Sequence, residues 1–291
     1  MTRITTITPR ANKPTNSWSA WLGLAPFILF GLAFELLPLL STIRSSLTNK
    51  GSLTLDFYRQ AVEPLFLRSF INTIQLSATT AFLGVVFGTL VAYAIITTRN
   101  RFVRNALTAL SDVTTNFGGA PLAFAFIVIL GSTGIITMLL KQIGIHLYPN
   151  FRIYSISGLT IAYLYFQLPL MILLIIPSLL GLKREWHEAA LNLGASTFQY
   201  WIRVALPILV PALVSGFLLL FANSFGAYAT AWTLTGSDVD LITIRIAALI
   251  RGEVQLAPEL ADALSIISLL IMSACVIGYL WLSNRAKKVN A

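Results

Sequence analysis

The sequence predicts an all-α membrane protein of six transmembrane helices, with an amphipathic helical segment at one face of the membrane. Hydrophobic residues make up 56% of the 291 residues, charged residues only 11%, and the mean hydropathy is +0.79. This composition excludes a water-soluble globule. Six apolar runs reach the roughly 20 residues that a helix needs to cross a bilayer, and their approximate cores are 22–43, 69–97, 117–139, 153–181, 204–233 and 263–282.

The first and third runs need separate justification. The first 20 residues are polar and carry Arg3, Arg10 and Lys13. The apolar run that follows is too long for the core of a cleaved signal peptide, so we expect an uncleaved first span. The third run is interrupted by Gly131-Ser132-Thr133-Gly134, which we expect to mark the outer end of that span.

Lysine and arginine are distributed unevenly between the segments that join these runs. With the N-terminus inside, the inner segments hold 12 basic and 3 acidic residues, and the outer segments hold 8 basic and 7 acidic residues. Because cytoplasmic segments carry such an excess of positive charge, we expect both termini and the segment between the fourth and fifth spans to be cytoplasmic. The net charge of +9 therefore predicts contact with anionic lipid head groups and not with nucleic acid.

The segment between the fourth and fifth runs has the periodicity of two short helices. Apolar residues recur at i, i+3, i+4 and i+7 from Trp186 to Leu193, while Arg184, Glu188 and Asn192 fall on another face. Gly194 can supply the positive φ that ends a helix. The same apolar spacing is repeated over residues 198–205. The pattern predicts a helix, a sharp turn and a second helix, held at the membrane surface to dock on a partner.

A specific motif lies within this segment. Its residues are Glu188, Ala189, Ala190, Gly194, Val204, Leu206 and Pro207. The string resembles the cytoplasmic coupling loop, or EAA loop, of the permease subunits of binding-protein-dependent ABC importers. That family's pattern is Glu-Ala-Ala, three residues, Gly, nine residues and Ile-x-Leu-Pro, from which this chain departs only by having Val204 for isoleucine. The resemblance extends over nearly the whole chain.

The resemblance implies the type I ABC importer permease fold and a division of the chain. Residues 1–68 would hold a cytoplasmic tail, the first span and the first outer loop. Residues 69–282 would form the permease core with the coupling loop at 183–203, and 283–291 a cytoplasmic tail. Contact with the ATPase would be made by five residues of the coupling loop: Arg184, Glu188, Ala189, Ala190 and Gly194.

The resemblance also implies the partners. An importer of this class needs two ABC ATPase subunits, a second permease subunit and an extracytoplasmic solute-binding protein, in the inner membrane of a bacterial cell. We expect the second permease to be a sibling subunit and not an identical copy. No cofactor is expected.

The catalytic inventory points away from an enzyme. A phosphate-binding loop of the Walker A type requires a Gly-Lys pair, and none of the six lysines follows a glycine. His187-Glu188 begins like a zinc-protease helix, but Leu191 stands where the second histidine is required. The predicted topology places His146 and His187 on opposite sides of the membrane. We therefore expect no catalytic residue and no metal site.

Polar residues inside the spans are candidates for the translocation pathway, because they are costly in lipid. The outer part of the fifth run is the richest in them, and Asn223 and Thr230 would share a helix face at i, i+7. In the family that this chain resembles, the fifth span lines the pathway. The pathway candidates are therefore Asn223, Tyr228 and Trp232. The alternative explanation for these polar and aromatic residues is that they form interhelical hydrogen bonds and an aromatic belt at the outer interface.

Two further features of the spans carry expectations. Thr80, Gly84, Gly88 and Ala92 form a stripe of small residues at four-residue spacing, which predicts close packing of the second span. Glu35 lies toward the outer end of the first run, where we expect it to reach the outer interface or to pair with a basic group such as Arg44.

The cargo is predicted only by finer resemblances. Three stretches are similar to the spermidine/putrescine type of permease. They are Leu55-Asp56-Phe57-Tyr58 with Pro64, the 131–134 turn, and Gln167-Leu168-Pro169-Leu170. Permeases for phosphonates, ferric iron and thiamine share much of this pattern and remain open. The outer carboxylates would suit a cation, whereas Arg245 and Arg251 in the same loop would suit an anion.

Two functions from other classes stay open as well. An ion-coupled secondary transporter would usually show two repeated halves and ionisable residues at mid-membrane. A function as a membrane scaffold would not explain the motif at Glu188. The sequence therefore favours a permease subunit of an ATP-driven importer for a small polar solute such as a polyamine.

Overall fold

The computed structural model describes residues 17–49, 51–98, 100, 102, 105, 109, 118–253 and 255–289. Within those residues, six helices are long and apolar enough to cross a membrane, which confirms the prediction of six spans. They are Leu24–Ser46, Pro64–Thr97, Gly119–Gln142, Ile156–Leu180, Thr197–Phe225 and Pro258–Ser283. We refer to them below as the first to the sixth span.

The first span is a helix in three parts. An α-helix over Ser17–Gly31 passes into a π-helical segment over Leu32–Leu36 and continues as an α-helix over Leu37–Ser46. A short antiparallel hairpin of Thr48–Asn49 and Ser52–Leu53 follows, and then a helix over Asp56–Gln60. The hydroxyls of Ser46 and Tyr58 lie 2.9 Å apart, which ties the end of the first span to this outer segment.

The second span is the centre of the bundle. Its helix, Pro64–Thr97, packs against the fourth and fifth spans, and the stripe of Thr80, Gly84, Gly88 and Ala92 is buried. A Cβ added at Gly88 would lie 2.7 Å from Cβ of Met171 on the fourth span. The small residues therefore allow the close approach of helices that the sequence predicted.

The third and fifth spans are broken near the side that the sequence predicts to be the outer one. The third comprises helices Gly119–Leu130 and Ile135–Gln142, separated at the predicted Gly131–Gly134 turn. The main helix of the fifth, Leu206–Phe225, stops at Gly226, and a separate helix covers Tyr228–Thr235. The prediction of one continuous fifth span over 204–233 is therefore wrong at its outer end. Since Ala227 has a non-helical ψ of 81°, Asn223 and Thr230 do not share a helix face.

The loop between the fifth and sixth spans contains the helix Ile242–Arg251. It is fixed to the second span by hydrogen bonds. The Thr73 hydroxyl accepts the Ile242 N–H at 2.9 Å, and Asp240 accepts from Ser69 at 2.6 Å and from Arg245 at 2.7 Å. After the left-handed Gly252, the chain enters the long sixth helix, Pro258–Val289.

Candidate coupling surface and translocation cavity

The coupling loop forms the predicted helix, turn and second helix. The first helix is Arg184–Asn192, and the chain then reverses at Gly194, whose φ is +81°. The Gly194 N–H donates to the Leu191 carbonyl at 2.9 Å, and the Ala195 N–H donates to the Ala190 carbonyl at 3.0 Å. This pair of bonds is a Schellman motif, which requires a left-handed residue at the position of Gly194. The prediction that Gly194 ends the helix with a positive φ is confirmed.

The second helix begins with a capping box. The Ser196 hydroxyl accepts the Gln199 N–H at 3.2 Å, and the Gln199 side chain accepts the Ser196 N–H at 2.8 Å. Helix Thr197–Tyr200 passes through a π-helical segment, Trp201–Ala205, into Leu206–Phe225 without a break. The fifth span therefore begins at Thr197 and not at 204 as predicted. The second helix of the coupling loop and the main helix of the fifth span are therefore one continuous helix.

The two π-helical segments found among the described residues have the same local cause. Each ends two residues before a proline, Pro38 in the first span and Pro207 in the fifth. Proline has no N–H to give to the carbonyl four residues earlier, so the helix can widen there. In the fifth span, the motif proline thus places a π-helical turn at the junction between the coupling loop and the membrane. The Trp201 ring in this turn packs edge-on against Tyr93 of the second span, with centroids 5.0 Å apart.

The surface of the coupling loop combines charged and apolar groups. Arg184 Nε lies 2.8 Å from Glu188 Oε1, and both side chains are largely exposed. Leu193 is 88% exposed and Phe198 is 72% exposed, so the same loop also presents two large apolar side chains. Ala189 and Gly194 are exposed as well, whereas Ala190 is half-buried. An apolar patch next to charges is what a protein-docking surface offers.

A cavity of about 730 Å³ lies between the third, fourth and fifth spans. Asn223 and Tyr228 line it, together with Gly118 and Gly119 at the start of the third span. Of the three pathway candidates, the structure thus brings two to the cavity. Trp232 stands behind Tyr228, with the two rings stacked at 6.2 Å and an interplanar angle of 20°.

Two contacts near the cavity were missed from the sequence. The guanidinium of Arg251 lies 5.6 Å from the Tyr228 ring and 5.2 Å from the Trp232 ring, so a cation from helix Ile242–Arg251 covers the aromatic pair. The Thr230 hydroxyl donates to the Gly119 carbonyl at 3.3 Å and joins the fifth span to the third. The Gly118-Gly119 doublet was a local signal for such a close approach, since glycine has no Cβ.

Residues 59–288 match the profile of a protein family described as the binding-protein-dependent transport system inner membrane component. The chain belongs to this family. Its members are non-catalytic transport permeases, and ATP is hydrolysed by partner ATPases, which confirms the prediction that this subunit is not an enzyme.

Several relatives are permeases of named transport systems. A probable sulfate transport system permease protein of Prototheca wickerhamii is 31% identical over 180 residues, which cover 60% of this chain and 66% of that protein. A chloroplastic sulfate permease of Chlamydomonas reinhardtii is 25% identical, covering 81% and 62%. A ferric transport system permease protein of Actinobacillus pleuropneumoniae is 28% identical, covering 74% and 31%. The chain thus spans less than two thirds of the length of these relatives.

Solved structures confirm the fold class. A bacterial ABC transporter involved in the import of the acidic polysaccharide alginate matches with a TM-score of 0.69 at 17% identity, covering 94% of this chain and 97% of that chain. An amino acid ABC transporter matches with a TM-score of 0.52 at 17% identity, covering 81% and 100%. The fold is that of a type I ABC importer permease.

Proposed function

We propose that this chain is one permease unit of an ATP-driven importer whose cargo is a small inorganic oxyanion of the sulfate class. In this proposal it works in the inner membrane with a sibling permease, two ABC ATPases and an extracytoplasmic binding protein. Both termini and the coupling loop face the cytoplasm, and residues 69–282 form the permease core. The observation that carries the choice of cargo is the construction of the cavity.

Two helices begin at the cavity wall. One is Gly119–Leu130 and the other is Tyr228–Thr235, and no side chain caps the first turn of either. The N-terminal end of a helix carries unpaired N–H groups and partial positive charge, so both helix ends favour an anion. Asn223 adds an amide that can donate a hydrogen bond. The lining residues are all neutral, which suits an anion held weakly enough to move on.

The position of Arg251 weighs against a polyamine. Its guanidinium already covers the faces of Tyr228 and Trp232, which a polyamine would need for cation–π contact. None of the relatives named above is a polyamine permease, and two are sulfate permeases. We therefore replace the polyamine expectation by an oxyanion.

The coupling mechanism follows from the continuous helix. The ATPases would bind the coupling loop through five of its residues: Arg184, Glu188, Ala189, Ala190 and Gly194. When ATP binding draws the two ATPases together, the loop would pull on the fifth span, whose outer end carries Asn223. The fifth span can bend at the π-helical turn Trp201–Ala205, since the proline after this turn leaves a carbonyl without its helical donor.

Ferric iron is the second candidate, favoured by the ferric transport permease of Actinobacillus pleuropneumoniae. Cells that carry the importer, and cells in which this chain is deleted, should be given radiolabelled sulfate and radiolabelled ferric iron separately. We expect the deletion to abolish high-affinity sulfate uptake and to leave iron uptake unchanged. Loss of iron uptake alone would refute the oxyanion assignment.

The cavity is tested by substitutions at the aromatic pair. Trp232→Leu keeps an apolar side chain but removes the ring under Arg251, whereas Trp232→Ala also removes the bulk. We expect both variants to lower sulfate uptake while basal ATP hydrolysis is retained. If Trp232→Leu transports normally and Trp232→Ala does not, Trp232 is a packing residue and not part of the recognition surface.

A further inference from the structure

The break in the fifth span is not imposed by a proline. No proline lies between Pro211 and Pro258, and Gly226 keeps a right-handed conformation, with φ −84° and ψ −4°. The chain turns at Ala227, where φ is −76° and ψ is 81°. The Tyr228 N–H donates to the Gly226 carbonyl at 2.9 Å, so the break is an inverse γ-turn centred on Ala227. Because glycine is also tolerated inside membrane helices, a contact from another span is needed to hold this turn.

Tyr163 of the fourth span makes that contact. Its hydroxyl donates to the Ala227 carbonyl at 2.6 Å, which is a short and favourable distance for a bond between two oxygens. Tyr163 is only 1% exposed. A buried tyrosine hydroxyl needs a hydrogen-bond partner, and here the partner is the carbonyl at the centre of the turn. The bond therefore ties the turn to the fourth span.

The ring of Tyr163 is enclosed by other helices. It lies beside Phe166, with ring centroids 5.2 Å apart. It belongs to the same buried cluster as Leu76 of the second span and Ala231 of the short helix Tyr228–Thr235. Because interiors of this kind are closely packed, the ring has little freedom to move. The hydroxyl is consequently held in place at the turn.

The turn is part of the cavity wall. Residues 227–229 line the cavity, whereas Tyr163 does not. Tyr163 therefore acts on the cavity only through the turn that it holds. The short helix after the turn is also tethered to the third span, since the Thr230 hydroxyl donates to the Gly119 carbonyl at 3.3 Å. Two hydrogen bonds from two different spans thus fix this helix at the cavity, and the bond from Tyr163 is the shorter one.

We propose that Tyr163 is a positioning residue of the translocation cavity. Its hydroxyl holds the turn at Ala227 and thereby sets where the short helix and the ring of Tyr228 stand. The inference rests on the proposed function for the use of the cavity by cargo, but not for the identity of that cargo. Tyr163 touches no cargo. It keeps the cavity wall in one shape, so that the conformational change driven by ATP moves cargo instead of deforming the wall.

The test removes this hydroxyl and retains the ring. Tyr163→Phe keeps the aromatic side chain in its buried cluster and deletes only the bond to Ala227. Tyr148→Phe is the matched control, because the Tyr148 hydroxyl also donates to a main-chain carbonyl, that of Leu130, at 3.1 Å. Tyr148 does not line the cavity. The whole importer is purified with the wild-type chain and with each variant, and is reconstituted in liposomes with its binding protein.

The first measurement is hydrogen–deuterium exchange of the purified importer, followed by mass spectrometry for the main-chain amides of residues 226–231. In Tyr163→Phe we expect these amides to exchange about fivefold faster than in the wild type, which is the effect of one neutral hydrogen bond on a local opening. Exchange in the coupling loop, 183–203, should not change. Tyr148→Phe should leave exchange at 226–231 at the wild-type rate. Unchanged or slower exchange at 226–231 in Tyr163→Phe would overturn the proposal.

The second measurement is the uptake of radiolabelled sulfate per ATP hydrolysed. In Tyr163→Phe this ratio should fall by about fivefold, while the half-saturating sulfate concentration stays the same because the binding protein captures the sulfate. A role of Tyr163 in stability alone would lower uptake and ATP hydrolysis in equal proportion. A wild-type ratio in Tyr163→Phe would therefore contradict a positioning role, as would an equal fall of the ratio in Tyr148→Phe.

Failure of the proposed function gives a different result. If sulfate is not the cargo, the wild-type importer takes up no labelled sulfate, yet the exchange rates at 226–231 still decide whether Tyr163 holds the turn. Both measurements are expressed per folded importer, so a lower yield of Tyr163→Phe does not imitate either effect.

Discussion

Gly194 offers the sharpest test of the coupling loop. Its φ of +81° is imposed by the Schellman motif, and a Cβ added there would meet no heavy atom within 4 Å. A side chain at this position is therefore opposed by backbone strain alone and not by a clash. Replacement by valine should change the turn without disturbing any packing.

The size of the effect follows from the left-handed conformation. An L-residue in this region costs about 1–2 kcal/mol, which lowers the population of the native turn about 5- to 30-fold relative to a relaxed one. Gly144 provides a matched control. Its φ is +83°, and a Cβ added there would also meet no heavy atom within 4 Å. The same pair of hydrogen bonds is present, from the Gly144 N–H to the Lys141 carbonyl and from the Ile145 N–H to the Leu140 carbonyl. The strain is thus equal, but Gly144 lies outside the coupling loop.

The assay is reconstitution of the importer in liposomes with its binding protein. We expect Gly194→Val to insert normally, to lose uptake and to hydrolyse ATP without stimulation by the loaded binding protein. Gly194→Asn should keep more activity, because asparagine tolerates the left-handed region. Gly144→Val should retain coupled transport. Full uptake by Gly194→Val, or equal losses in Gly194→Val and Gly144→Val, would refute a specific role of this turn.

Three further predictions concern coupling, packing and topology. Arg184→Ala and Glu188→Ala should each lower the free energy of unfolding by only about 0.3–0.5 kcal/mol, as for an exposed i, i+4 pair. Both should nevertheless reduce the stimulation of ATP hydrolysis by the loaded binding protein. Unchanged stimulation in both variants would exclude a contact with the ATPase. Gly88→Val should destabilise the bundle by about 1–3 kcal/mol through overpacking, measured by thermal unfolding in detergent, and a smaller loss than for Gly88→Ala would contradict the packing. In a background without the native cysteine, a cysteine at Asp238 should react from outside and one at Ser196 only from inside, whereas labelling of Ser196 from outside would reverse the topology.

Much of the fold is determined by patterns that are local in the sequence. The lengths of the apolar runs determine six spans, because a bilayer imposes a minimum length on each helix. The periodicity around Glu188 and the position of Gly194 determine the helix and its end, since capping involves residues at most a few positions apart. The stripe through Gly84 and Gly88 determines a close helix contact, although it does not say which helix is met.

The cavity was decided only by the tertiary structure. The end of the fifth helix at Gly226 and the new helix at Tyr228 depend on what packs around them, because glycine also occurs inside membrane helices. The meeting of Gly119 with Thr230, and of Arg251 with the ring of Trp232, joins residues distant along the chain. No local pattern encodes such contacts, since they depend on how separately formed helices pack.

The exposure of Glu35 also shows what the sequence determined and what only the tertiary structure decided. The sequence by itself determined that a carboxylate lies within the first span. Only the tertiary structure decided that this part of the span meets little of its own chain, because burial is a property of the assembled bundle and not of one helix. The length and hydropathy of the apolar run therefore do not tell which of its side chains meet the rest of the chain.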